Sequence, residues 1–86
     1  HGDASVLSFH ATKIFTTFEG GAVVSSSEDE KLAVDRLRNF GLYGEAALDI
    51  GINAKLDEFR AAVGLLQLRT VRGAIERRGV LDERYR

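Results

Sequence analysis

Apolar and polar positions change their spacing several times along this chain, and each change marks an element. Ser5-Val6-Leu7-Ser8-Phe9 gathers β-branched and aromatic residues without helical spacing and predicts a short strand. Ala11 to Phe18 has no clear period, and Thr12, Thr16 and Thr17 disfavour a helix there. Gly20-Gly21 reads as a turn, because residues without a Cβ take positive φ cheaply. Ala22-Val23-Val24-Ser25 then predicts a second strand, so the two form a hairpin whose connection is long enough to carry a site.

Helical spacing begins after Ser26. Ser27-Glu28-Asp29-Glu30 fits a capping box, with Ser27 as N-cap, Glu30 reaching back, and acids in the first turn where the helix dipole favours them. The helix is predicted to run to about Asn39, with Ala33, Leu37 and Phe40 on one face, and Gly41 ends it. Leu42 to Ile52 reads as a loop with glycines at 44 and 51. Asn53 is the expected N-cap of the next helix. Leu56, Phe59, Val63 and Leu66 recur at three and four and predict a buried stripe, which Leu68, Val71 and Ile75 continue toward the chain end. Gly73 or Gly79 is the expected place for a break. A β-β-α-α order leaves sheet edges and an apolar stripe in need of partners.

Composition sharpens that picture. The chain has 86 residues, 44% of them apolar, which suits a folded piece rather than a disordered one. At this length burial is limited, and no cysteine is present to staple the fold. There is neither methionine nor proline, and the expectation is a fragment of something larger. Lys and Arg number 12 against 13 Asp and Glu, a formal charge of −1, so no global field draws the chain to nucleic acid or membrane. Six arginines lie between Arg69 and Arg86, against Glu76, Asp82 and Glu83, which fits a solvated helix face better than a phosphate-binding surface. No apolar run approaches the roughly 20 residues of a membrane span. No secretory signal is visible, and the absence of cysteine is compatible with the cytosol.

Few residues announce chemistry. Lys13 sits between apolar neighbours, Ala11 and Thr12 before it and Ile14 and Phe15 after it. A lysine amine attacks a carbonyl only when unprotonated, which desolvation or a nearby cation would favour. Taken alone it is more simply an ordinary surface lysine. His1 and His10, with Asp3, match no familiar metal-ligand spacing. Ser8 and His10 alternate on the predicted strand and share a face, but no nucleophile turn of the G-x-S-x-G kind surrounds the serine. Gly41-Leu42-Tyr43-Gly44 matches a bare G-x-x-G loop of RNA-binding modules, although its uncharged middle suits a helix end and turn better.

Four motifs in order nevertheless resemble one family: Ser8-Phe9-His10-Ala11-Thr12-Lys13, Phe18-Glu19-Gly20-Gly21-Ala22, Arg38-Asn39-Phe40-Gly41 and Gly51-Ile52-Asn53-Ala54-Lys55-Leu56. Together they look like the sugar-nucleotide aminotransferases of the DegT/DnrJ/EryC1/StrS type. The resemblance covers nearly the whole chain and reverses the plain reading of Lys13. It implies an α/β fold, a fragment of the type I, aspartate-aminotransferase-like fold of enzymes dependent on pyridoxal 5'-phosphate. Residues 1–52 would then belong to the cofactor-binding large domain, and 53–86 to a helical segment leading toward the small domain.

By the same resemblance, Lys13 is the lysine that carries the cofactor and later shuttles a proton. Ser8 matches a hydroxyl donor to the cofactor phosphate, and Asn53 an asparagine reaching that phosphate from the neighbouring subunit of a homodimer. His10 belongs to the lysine motif without a definite role, and Lys55 falls near the substrate side. Related dehydratases carry histidine at the lysine position, so Lys13 argues for amino transfer. The implied reaction moves an amino group, from L-glutamate, to a keto carbon of a nucleotide-linked deoxysugar in the cytoplasm, with no metal, nucleic acid or membrane involved. The acidic partner of the pyridine nitrogen and the aromatic ring stacker are expected upstream of His1, so the isolated chain is expected to be inactive. The alternatives are a small RNA-binding module and a helical interaction element.

Overall fold

The computed structural model describes residues 2–86; His1, and with it the His1–Asp3–His10 grouping, lies outside them. The chain divides into two compact units, His1–Leu7 with Ala22–Leu56, and Ser8–Gly21 with Asp57–Arg86.

β1 (Ala4–Ser8) and β2 (Gly21–Ser25), which but for Ser8 and Gly21 belong to the first unit, pair in a two-stranded sheet, as their residue pattern predicts. Helix α1 spans Glu28–Arg38, with Ser27 as N-cap accepting from the Glu30 amide at 3.2 Å. Glu30 reaches back one residue further than a standard capping box requires. Its carboxylate accepts from the Ser26 amide and hydroxyl, both at 3.0 Å. At the other end Phe40 and Gly41 both take positive φ, 62° and 72°, and turn the chain out of the helix.

The last carbonyls of α1 would lack partners without help from outside the helix. Gly41 N–H donates to Arg36 O at 2.9 Å, Ile52 N–H to Leu37 O at 2.8 Å, and Ala54 N–H to Arg38 O at 2.9 Å. The stretch from 48 to 54 therefore lies along the helix end. It approaches so closely that a Cβ on Gly41 would overlap the Asp49 carbonyl and one on Gly51 would overlap the Gly41 nitrogen. Between these contacts the expected loop contains a small antiparallel hairpin, β3 (Leu42–Tyr43) with β4 (Ala46–Ala47), turned at Gly44 with φ 61°. The local order is thus β-β-α-β-β-α-α rather than β-β-α-α.

The second unit holds the connection after β1 and two helices, α2 (Glu58–Leu68) and α3 (Val71–Tyr85). Asn53 does not cap α2. It forms a bridge with Asn39, its neighbours serve the end of α1, and Asp57 caps the helix instead by accepting from the Arg60 amide at 2.8 Å. The helical region breaks at Arg69–Thr70, not at Gly73 or Gly79. Arg69 and Thr70 amides turn back to Leu66 O and Gln67 O at 3.2 and 3.1 Å, a tight three-residue closure, and α3 runs through both glycines.

No apolar side chain among the described residues is buried, and Thr17 has the one side chain fully enclosed, 1% exposed. Much of the predicted stripe on α2 is open, with Phe59 71% and Leu66 60% exposed, while Val63 is half-buried. Gly64, buried on α2, lies instead against Thr17 and Phe15 of the connection.

Candidate active site

The connection after β1 is tied together by its own backbone and threonines. Phe9 N–H donates to Gly20 O at 2.8 Å, and Thr17 N–H returns to Phe9 O at 3.0 Å. The Thr16 hydroxyl also donates to Phe9 O at 3.1 Å and accepts from the Phe18 amide at 2.9 Å, while the Thr17 hydroxyl donates to Glu19 O at 2.8 Å. Phe9 and Phe15 meet edge to face with centroids 4.9 Å apart. The threonines that discourage a helix are the residues that brace the loop.

Lys13 closes a turn within this loop, its amide donating to His10 O at 3.0 Å. Its side chain is exposed, and among the described residues its ammonium has no ion-pair partner, whereas Lys31 is held by Asp35 at 2.8 Å. Ser8 stands at the end of β1, exposed, accepting from the His10 amide at 3.4 Å with its hydroxyl proton free to donate. His10 lies beyond the strand. Its ring faces Thr12 and Glu19 rather than the Ser8 hydroxyl, so no serine–histidine nucleophile forms.

Asn53 and Lys55 belong to the first unit. The Lys55 ammonium donates to Asn53 Oδ1 at 2.7 Å and sits 4.0 Å from the Phe40 ring centroid. An ammonium can only donate, so it fixes the orientation of the Asn53 amide and leaves the –NH2 as a free donor. Without a helix behind it, Asn53 offers an anion this side chain and not a helix N-terminus. Lys55 also lines an open cavity of about 510 Å³ together with Arg36, Arg38 and Tyr43. Arg36 lies over the Tyr43 ring at 5.1 Å and pairs with Asp49 at 3.2 Å. Gly41 and Gly44 of the G-x-x-G match serve the exit from α1 and the β3–β4 turn.

Ser8, His10 and Lys13 are thus gathered on one braced loop, and Asn53 and Lys55 on one segment of the other unit. Glu19, Thr12 and Gly64 carry no expected role, yet they orient His10, close its turn and seat the loop. The close spacing of threonines between 12 and 17 was the available signal for this bracing. In the second unit Ser8 offers a hydroxyl and Lys13 an uncommitted amine; in the first, Asn53 offers an amide –NH2.

The architecture is of the aminotransferase kind: this α/β chain matches DesI, solved in the presence of its TDP-sugar product, with a TM-score of 0.76 and 44% identity over 84% of this chain and 19% of that one. A profile of the DegT/DnrJ/EryC1/StrS aminotransferase family matches residues 1–86, and the chain belongs to that family. A dTDP-4-amino-4,6-dideoxy-D-glucose transaminase of Shigella dysenteriae is 59% identical over 69 residues, 79% of this chain and 19% of that enzyme. A UDP-4-amino-4,6-dideoxy-N-acetyl-beta-L-altrosamine transaminase of Campylobacter jejuni is 34% identical over 88 residues, 96% of this chain and 23% of that enzyme. The chain spans about a fifth of the length of these relatives. No helix among the described residues is long and apolar enough to cross a membrane.

Proposed function

We propose that this chain is the lysine-bearing segment of a sugar-nucleotide aminotransferase dependent on pyridoxal 5'-phosphate. The parent enzyme moves an amino group from an amino acid, L-glutamate, to the keto carbon of a nucleotide-linked deoxysugar. The names of the Shigella and Campylobacter relatives, both transaminases of nucleotide-linked amino sugars, support this substrate class. The observation that carries the reading is Lys13, an amine without an ion-pair partner among the described residues, presented on a braced turn five residues after the Ser8 hydroxyl.

Pyridoxal phosphate supplies the electron sink when bound, and the protein supplies orientation and proton transfer. Lys13 Nζ is the group that would hold the cofactor, and the same amine would serve as the acid–base group for the proton at the substrate carbon. The Ser8 hydroxyl would hold the cofactor phosphate, and the Asn53 –NH2 would reach that of the neighbouring subunit in a cytoplasmic homodimer. Lys55 holds Asn53 in its donor orientation and faces the substrate side. Residues 1–52 form part of the cofactor-binding large domain, and 53–86 lead toward the small domain.

Borohydride reduction of the full-length enzyme loaded with pyridoxal phosphate is expected to trap the cofactor on the peptide containing Lys13. Lys13→Ala should abolish both the trapped adduct and turnover. A variant that kept the chromophore and turnover would refute the assignment.

A further inference from the structure

We infer that His10 is a positioning residue whose Nδ1 closes the turn that presents Lys13. The Thr12 amide donates to His10 Nδ1 at 3.3 Å, and the Thr12 hydroxyl lies 3.0 Å from the same nitrogen. A backbone amide can only donate, so Nδ1 must be the unprotonated acceptor and the ring proton sits on Nε2. That Nε2 faces Glu19 Oε1 at 3.6 Å. The backbone of the same residue completes the turn, its carbonyl accepting from Lys13 N–H at 3.0 Å and its amide leaning on Ser8 Oγ at 3.4 Å. One residue thereby links the hydroxyl at the strand end to the lysine five positions on. Both side chains of the His10–Glu19 pair are largely exposed, 48% and 66%, so that contact orients the ring while the Nδ1 bond shapes the backbone.

The bond from a ring nitrogen at position i to the amide at i+2 has the form of an Asx-turn, in which an asparagine oxygen plays the acceptor. Asparagine places Oδ1 where His10 has Nδ1, whereas glutamine carries its amide out toward Nε2. The two substitutions therefore separate the turn from the outward contact with Glu19. The inference rests on Lys13 being the cofactor lysine.

The experiment uses full-length apoenzyme, mixed with pyridoxal phosphate, following the visible absorbance of the lysine-bound cofactor and the borohydride-trapped Lys13 peptide over time. His10→Asn is expected to load at close to the wild-type rate, and His10→Gln roughly tenfold more slowly, the scale of one lost hydrogen bond. His10→Ala should match the glutamine variant; if it does not fold, the asparagine–glutamine comparison decides alone. Equal loading by Asn and Gln, or faster loading by Gln, overturns the proposal. An adduct that survives Lys13→Ala in the wild-type His10 background would instead overturn the lysine assignment, so the two failures are told apart.

Discussion

A methyl group added at Gly64 tests whether the lysine loop is seated on α2. A Cβ there would stand 3.0 Å from Thr17 Cγ2 and 3.6 Å from Phe15 Cζ. Thr17 cannot easily retreat, because its amide is held by Phe9 O at 3.0 Å and its hydroxyl by Glu19 O at 2.8 Å, and it is 1% exposed. Gly73, on α3, provides the control, since nothing lies within 4 Å of a Cβ built there. Alanine in place of glycine inside a helix gains about 1 kcal/mol of helix propensity, and Gly73→Ala should show that gain in full. At Gly64 the same gain is set against overpacking of about 1–3 kcal/mol, because the methyl must displace a β-branched side chain already committed to a hydrogen bond.

The expected result is a stability gap of about 1–3 kcal/mol between the two variants, with Gly64→Ala neutral to destabilised. Urea unfolding of the full-length protein measures it, provided the dependence on denaturant is unchanged between variants. The loop should also lose its preformed turn, so borohydride trapping at Lys13 should slow in Gly64→Ala and not in Gly73→Ala. Equal stabilisation by both substitutions would show that Thr17 does not constrain α2, and the seat would have to be abandoned.

Two further outcomes follow from the caps and turns. Asp57 has its pKa lowered by the Arg60 backbone amide and then the Arg60 guanidinium, so its contribution to folding is present above the ordinary carboxylate range and is lost as pH falls through the depressed value. Hydrogen exchange should find the Arg60 amide less protected in Asp57→Ala at neutral pH, whereas Asp57→Asn keeps the cap and loses its acid sensitivity. Gly41→Ala should cost about 2–4 kcal/mol, combining positive-φ strain with overlap on the Asp49 carbonyl. Gly44→Ala, with φ 61° but open space, should cost only about 1–2 kcal/mol, and denaturant midpoints of the pair measure the difference.

Elements whose signals are local were legible. Ser27 and Glu30 sit three apart before a helical run, and the helix begins there. The strands after Asp3 and after Gly20 were legible for the same reason. Signals that compete were not. Asn53 and Asp57 both satisfy the rule for an N-cap, and the choice between them is made far away in sequence, at the end of α1. Three carbonyls there need donors, and residues 52 and 54 provide two of them, which draws Asn53 into a bridge with Asn39 and delays the helix until Asp57. Likewise Gly73 and Gly79 each weaken a helix by only about 1 kcal/mol, too little to end α3. The break comes at Arg69–Thr70, where no glycine advertises it.

The candidate site divides in the same way. Nothing in the immediate surroundings of Lys13 marks it as reactive; only the order of four separate motifs singled it out. Its support is local chemistry all the same: a histidine that accepts from the amide two residues on, threonines that turn their hydroxyls on the backbone, and a glycine on α2 that lets one of them in. Each of those residue types has a plain structural use, so none would attract notice alone. What gives them meaning is convergence on one turn. For the proposed role of Lys13, which needs an amine aimed in a fixed direction, the side chains of His10, Thr16 and Thr17 set the backbone around it beforehand.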